Sequence, residues 1–296
     1  QTSAMRGFLS HTRAEESSAD RSAARALKSA GISPRGLVDL HRIFAGQEVL
    51  SSANQDPYMR SHPLSRDRIR AAEAFVAAYG DSSTPNPQAR YWFARVRGKL
   101  SAFTRSPKWS LRRATEETHK DIRLMRQAIA YHRRNDLKKA LAAVNGALAI
   151  RPKDAFYHDL KGQILFENRR WAAAKASFGQ AVQLAPTDAL VLASFGRAQL
   201  AAGEAKASLK TMEKSRSLDF RNALLLRDMS QAYAKTGQNG MAALVTAERY
   251  ALVGRLEDAG LHAKRATALL PRGSATWRRA QDVLQAFEQS QKRKRR

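Results

Sequence analysis

Cysteine is absent from all 296 residues. That excludes disulfides, thiolate zinc sites and thiol nucleophiles, and it leaves the compartment open. No apolar run approaches the roughly 18 residues needed to span a bilayer. Neither G-x-x-x-x-G-K-[ST] nor G-x-G-x-x-G occurs, so no phosphate-cradling loop supports nucleotide binding. G-x-S-x-G is missing too, and no Ser and His stand in a recognisable triad motif. The histidines at 11, 41, 62, 119, 132, 158 and 262 include no two that are four residues apart. Acidic residues are scarce beside basic ones, 26 against 52, and the net charge of +26 predicts anionic partners. The excess is spread along the chain. Only QKRKRR, 291 to 296, is a concentrated basic block, and a block of that kind at a terminus reads as a solvated end. Because the first residue is Gln1 and not Met, the chain reads as a fragment or processed product.

What is present is helix. AEESSADRSAARALKSA, 14 to 30, carries Ala19, Ala23, Ala24 and Leu27 on one stripe, and Gly31 follows as a natural stop. Pro34 then opens a second helix, PRGLVDLHRIFAGQ, at the position where proline is tolerated. SSANQDPYMRSHP, 51 to 63, is a loop by composition, and LSRDRIRAAEAFVAAYG resumes helix. In QARYWFARVRGKLSAF the apolar face is read as Trp92, Val96, Leu100 and Phe103. The four tryptophans, at 92, 109, 171 and 277, sit at helical spacing beside apolar residues and are assigned to core packing.

A repeat governs the second half. Pro152 and Pro186, Gly162 and Gly196, Ala140 and Ala174, and Ala147 and Ala181 are each 34 residues apart, and PKDA is answered by PTDA. Small residues where two helices cross, with a proline after the second, resemble the tetratricopeptide repeat. Three repeats are expected, at 121–152, 155–186 and 189–219, then less regular helices at about 223–236, 239–253 and 255–269. WRRAQDVLQAFEQS reads as a capping helix.

The candidate site begins with carboxylates at Glu15, Glu16 and Asp20. Glu16 and Asp20 are four apart, so on a helix they share a face where a cation is welcome. Zinc accepts carboxylate oxygen, and an acid one turn on can orient a liganding imidazole. E-x-x-A-D, a helix ending A-G-x-x-P, a loop and then S-H-P-x-x-x-x-R-I, 61 to 69, in that order resemble the HtpX-type zinc metalloprotease family. With repeats directly behind, and AERYALVGRLEDA at 247 to 259, the chain is similar to the β-barrel assembly-enhancing branch.

The resemblance implies a role for each matching residue. Glu16 is implied as a zinc ligand and Asp20 as the acid behind the ligands. His62 is implied as a loop histidine that swings onto the metal's open position and latches the enzyme off. Arg68 is read as able to pair with a nearby carboxylate or hold substrate. H-E-x-x-H is absent, so two zinc ligands and the general base are expected upstream of Gln1, and this chain alone is expected to be inactive.

The expected architecture is all-α. Residues 1–105 are the C-terminal part of a metalloprotease domain, and 106–296 a tetratricopeptide-repeat α-solenoid with a capping helix and basic tail. The implied function is that of a periplasmic zinc metalloendopeptidase and chaperone in outer-membrane protein quality control. Its repeats would recruit unfolded or misassembled outer-membrane proteins or their assembly machinery. No specific nucleic acid is expected, and an anionic membrane surface is a secondary contact. The alternative is a non-catalytic basic adaptor that binds protein, nucleic acid or anionic membrane.

Overall fold

The computed structural model describes residues 3–45, 66–80 and 86–294 of the chain. Among them are fifteen α-helices and no strand. They fall into two compact units, Gln1–Arg90 and Tyr91–Arg296. The sequence reading placed its domain boundary near residue 105.

The first unit holds α1 (Ser3–Ser29), α2 (Arg35–Phe44) and α3 (Arg66–Tyr79). Helix α1 stops where the sequence says it should. Gly31 takes φ of 67°, and the Ile32 and Gly31 amides return to the Leu27 and Lys28 carbonyls at 2.9 and 3.0 Å. This is the Schellman closure, in which a left-handed glycine satisfies carbonyls that the helix end leaves open. Pro34 stands one residue earlier than the first helical position expected for it, at the N-cap of α2, with no side-chain capping bond. Ala24, Val38 and Ala72, one from each helix, form the buried apolar centre. The loop reading for 51 to 63 lies outside the described residues.

The second unit begins within α4 (Pro87–Thr104), and α5 (Pro107–Thr115) follows before four helix pairs. These are α6 (Lys120–His132) with α7 (Leu137–Ile150), α8 (Ala155–Glu167) with α9 (Trp171–Leu184), α10 (Ala189–Ala201) with α11 (Ala205–Leu218), and α12 (Ala223–Lys235) with α13 (Asn239–Leu252). Helices α14 (Leu256–Leu269) and α15 (Ala275–Lys294) close the series. Second helices begin at 137, 171, 205 and 239, a strict 34-residue period. The fourth pair, read from sequence as less regular, keeps the register.

Local chemistry sets that register. Asp154, Asp188 and Asn222, spaced by 34, cap the first helices, each side chain accepting from two backbone amides two and three residues ahead. Inside each pair the turn needs one left-handed residue, and Asn135, Arg169, Gly203 and Gly237 supply it at the same interval. Arg169 takes φ of 58° with a Cβ, so this turn tolerates strain that glycine avoids elsewhere.

Helices cross at small residues. A Cβ on Gly162 would lie 2.6 Å from the Phe178 ring, and one on Gly196 would lie 2.7 Å from Met212. The corresponding positions in the first pair are Ala128 and Val144, both fully buried. In the fourth pair they are Ser230 and Thr246, whose hydroxyls bond at 2.7 Å. Smaller residues on one helix thus meet larger ones on the next, in the manner of a close-packed core. Ala140 and Ala174 continue as Ser208, and Ala147 and Ala181 as Ser215. Each buried serine donates to a main-chain carbonyl, of Gly196 and Ala189 respectively, at 2.7 Å.

Two expectations about aromatic faces are corrected. Helix α4 buries Tyr91, Arg95, Gly98 and Ala102, while Val96 and Leu100 are 62% and 63% exposed. The polar face wins because partners across it satisfy its polar groups. Tyr91 donates to Asp121 at 2.5 Å, Arg95 forks onto Asp154 at 2.5 and 2.6 Å, and Gly98 lets Ile122 and Met125 approach. None of the four tryptophans is buried. Trp92 and Trp171 pack edge-on against Phe156 and Phe166 at the surface.

Candidate functional site

The first unit brings the two sequence motifs together. Glu16 and Asp20 share one face of α1, one turn apart, as their spacing requires. Helix α3 supplies Arg68, from the S-H-P-x-x-x-x-R-I stretch. Its guanidinium forks onto Asp20, Nε to Oδ2 at 2.7 Å and Nη2 to Oδ1 at 2.9 Å, and its Nη1 stands 3.1 Å from Glu16 Oε2. Asp20 and Arg68 are buried, and Glu16 is half-buried. Two carboxylates and one planar cation in a partly dry setting hold one another in place. The cation held by the acidic pair in this structure is a guanidinium.

Helix α2 adds a residue that the sequence reading passed over. His41 is 5% exposed, with Nε2 3.4 Å from Asp20 Oδ2 and without a completed hydrogen bond. Burial lowers its pKa, and Arg68 pushes the same way. The Asp20 and Glu16 carboxylates oppose them without prevailing. The signal was available in GLVDLHRIF, where His41 lies three residues after Val38 on the inward stripe of α2.

His62 lies outside the described residues. Among those described, no group of three or more His, Cys, Asp or Glu is arranged to hold a metal ion. Glu16 and Asp20 offer oxygens suited to zinc, but both face Arg68, and among the described residues no imidazole pair joins them. The described residues by themselves do not fit a zinc ion.

The second unit carries a different kind of surface. Helix α4 packs on the face made by the first helices of the leading pairs. Arg95 sits 4.0 Å from the Tyr157 ring centroid and 4.9 Å from that of Trp92 while it grips Asp154. Asp121 accepts from Tyr91, Tyr157 and Arg151, and the last two bonds are 3.0 and 2.7 Å. Although burial works against it, this set of donors holds the Asp121 carboxyl below its usual range. Farther along the same face, Leu190 and Leu224 are 65% and 55% exposed.

Residues 1–76 match the model of peptidase family M48. That stretch contains both motifs and every residue of the Arg68 cluster. No curated protein matches the chain significantly. Solved structures resemble part of the chain. MamA from Desulfovibrio magneticus RS-1, residues 41 to the end, is 19% identical, covering 58% of this chain and 98% of its own, with a TM-score of 0.47. TTC0263, a thermophilic TPR protein in Thermus thermophilus, is 16% identical over 55% and 98%, with a TM-score of 0.37. Pseudomonas aeruginosa pilF is 17% identical over 64% and 97%, with a TM-score of 0.41.

Proposed function

We propose that the chain is the C-terminal portion of a periplasmic zinc metalloendopeptidase and chaperone. It would act in outer-membrane protein quality control, with the repeats recruiting substrate or assembly machinery. One observation carries the reading. Arg68 of the second motif closes on Glu16 and Asp20 of the first, so residues some fifty positions apart form one site in the stretch that matches the peptidase family. Glu16 would serve as a metal ligand beside imidazoles outside the described residues, with Asp20 behind them and His62 as the latch. Arg68 positions both carboxylates. No catalytic step is assigned to the described residues.

The helix pairs supply the recruiting part, since stacked pairs present an extended face on which a protein segment can lie. The test uses the intact gene product with an unfolded outer-membrane porin as substrate. Wild type should retain and cleave the porin. Glu16→Gln should retain it without cleavage, and His62→Ala should cleave faster. Failure to cleave in every form would overturn the peptidase reading, and failure to retain would overturn the recruiting one.

A second reading, the non-catalytic basic adaptor, is favoured by the +26 charge. It expects binding to nucleic acid or anionic membrane that falls steeply with salt.

A further inference from the structure

Helix α4 shows what the repeat face accepts. Its Arg95 lies on Asp154 while its Trp92, three residues earlier, meets Phe156 with ring centroids 6.3 Å apart. Asp154 nonetheless keeps capping α8, at 3.0 and 3.1 Å. One carboxylate therefore serves two tasks, holding its own helix start and receiving a cation from a helix laid across it.

The next pair repeats the capping carboxylate of this receptor, with Leu190 and Val191 where Phe156 and Tyr157 stand, and without an occupant of that kind. Asp188 stands 34 residues beyond Asp154 and caps α10 in the same way, at 2.9 and 3.0 Å. Leu190 stands where Phe156 does, and at 65% exposure it is far more open than Phe156 at 39%. Leu224 continues the row at 55%. Asp159, on the α8 helix between the two receptors, has a buried Oδ1 that lacks a hydrogen-bond partner. Its carboxyl is pushed up by burial, and Asp188 adds to the shift. Lys99 opposes it. Two carboxylates thus stand close enough to influence each other beside exposed leucine.

We propose that the face at Asp188, Leu190 and Leu224 docks a helical segment of a partner protein that carries an arginine three residues after an aromatic. It is the arrangement that α4 presents one repeat earlier. The arginine forks onto Asp188 and relieves the charge shared with Asp159, and the aromatic covers Leu190. The assignment rests on the reading of the repeats as a recruiting face, and it adds the chemistry of what is recruited. An acidic segment is disfavoured there by the same two carboxylates.

The probe is a labelled peptide with the sequence of residues 87–104, titrated into the full chain at low salt with anisotropy as readout. Asp188→Asn removes the charge but keeps a good capping side chain, the one that Asn222 already provides in the following pair. Saturable binding is expected, weakened about tenfold by Asp188→Asn and by a peptide carrying Arg95→Gln. Leu190→Ala should weaken it as well. A melting curve for Asp188→Asn that overlays wild type shows that the loss belongs to the site. Absence of saturable binding would overturn the assignment, and so would binding indifferent to Asp188→Asn. If Leu224→Glu alone abolished binding, the assignment to Asp188 would fall while the broader recruiting role stood. That role fails only if the chain does not retain an unfolded porin.

Discussion

Replacing Gly162 by alanine tests the packing rule on which the repeat unit is built. The new Cβ would lie 2.6 to 2.8 Å from three Phe178 ring carbons, closer than real contacts allow. Phe178 is only 4% exposed and has little room to retreat. Overpacking of this kind costs about 1–3 kcal/mol, against a gain of about 1 kcal/mol in helix propensity from losing a mid-helix glycine. Gly162→Ala should therefore be net destabilising, by about 1 kcal/mol. Phe178→Val alone leaves a void and should cost about 2 kcal/mol. Together the two substitutions recreate the Ala128 and Val144 pairing of the first repeat, where both side chains are fully buried. The methyl then fills part of the void, and the clash is gone. A double-mutant cycle from urea unfolding, followed by helical circular dichroism, should show favourable coupling of about 2 kcal/mol. Additivity within about 0.5 kcal/mol would refute the claim that these positions trade volume across the crossing.

Two further outcomes concern the first unit. Arg68→Met removes the cation from buried Asp20 and half-buried Glu16, so α1 and α3 should lose about 3 kcal/mol of local stability. Amide exchange in those helices reads this, and exchange equal to wild type would count against the cluster. His41 has a lowered pKa in the fold, so the unfolded chain takes up the proton first. Its contribution is whole above about pH 6.5 and fades as pH falls below that value. Stability of this unit should thus drop as pH falls below about 6.5, and His41→Gln should flatten the profile. A slope that survives the substitution would assign it to other groups.

The sequence made the 34-residue period legible through residues that cannot be exchanged freely. Gly162 and Gly196 face bulky side chains, and Pro152 and Pro186 follow helix ends. The fourth pair was harder to see because Ser230 and Phe220 replace the glycine and the proline. Its register survives in Asn222 and Gly237, at the cap and the turn, which a search for large signature residues overlooks. The α4 face was misread for a different reason. Hydrophobicity alone ranks Val96 and Leu100 above Arg95 and Gly98, yet Asp154 and the close approach of Ile122 decide which side is buried. In the candidate site, the spacing of Glu16 and Asp20 announced a cation. That the cation is Arg68 depends on how α1 and α3 pair in space, and no local pattern carries that information.

The central claim is that Glu16 and Asp20 belong to a metallopeptidase site and not to a structural ion pair alone. The most direct test is the zinc content of the intact gene product, measured by elemental mass spectrometry for wild type and Glu16→Gln after removal of loosely bound metal. About one zinc per chain in wild type, with a large loss in the variant, is the expected result. A wild-type protein free of zinc, or one whose zinc is untouched by Glu16→Gln, would contradict the account.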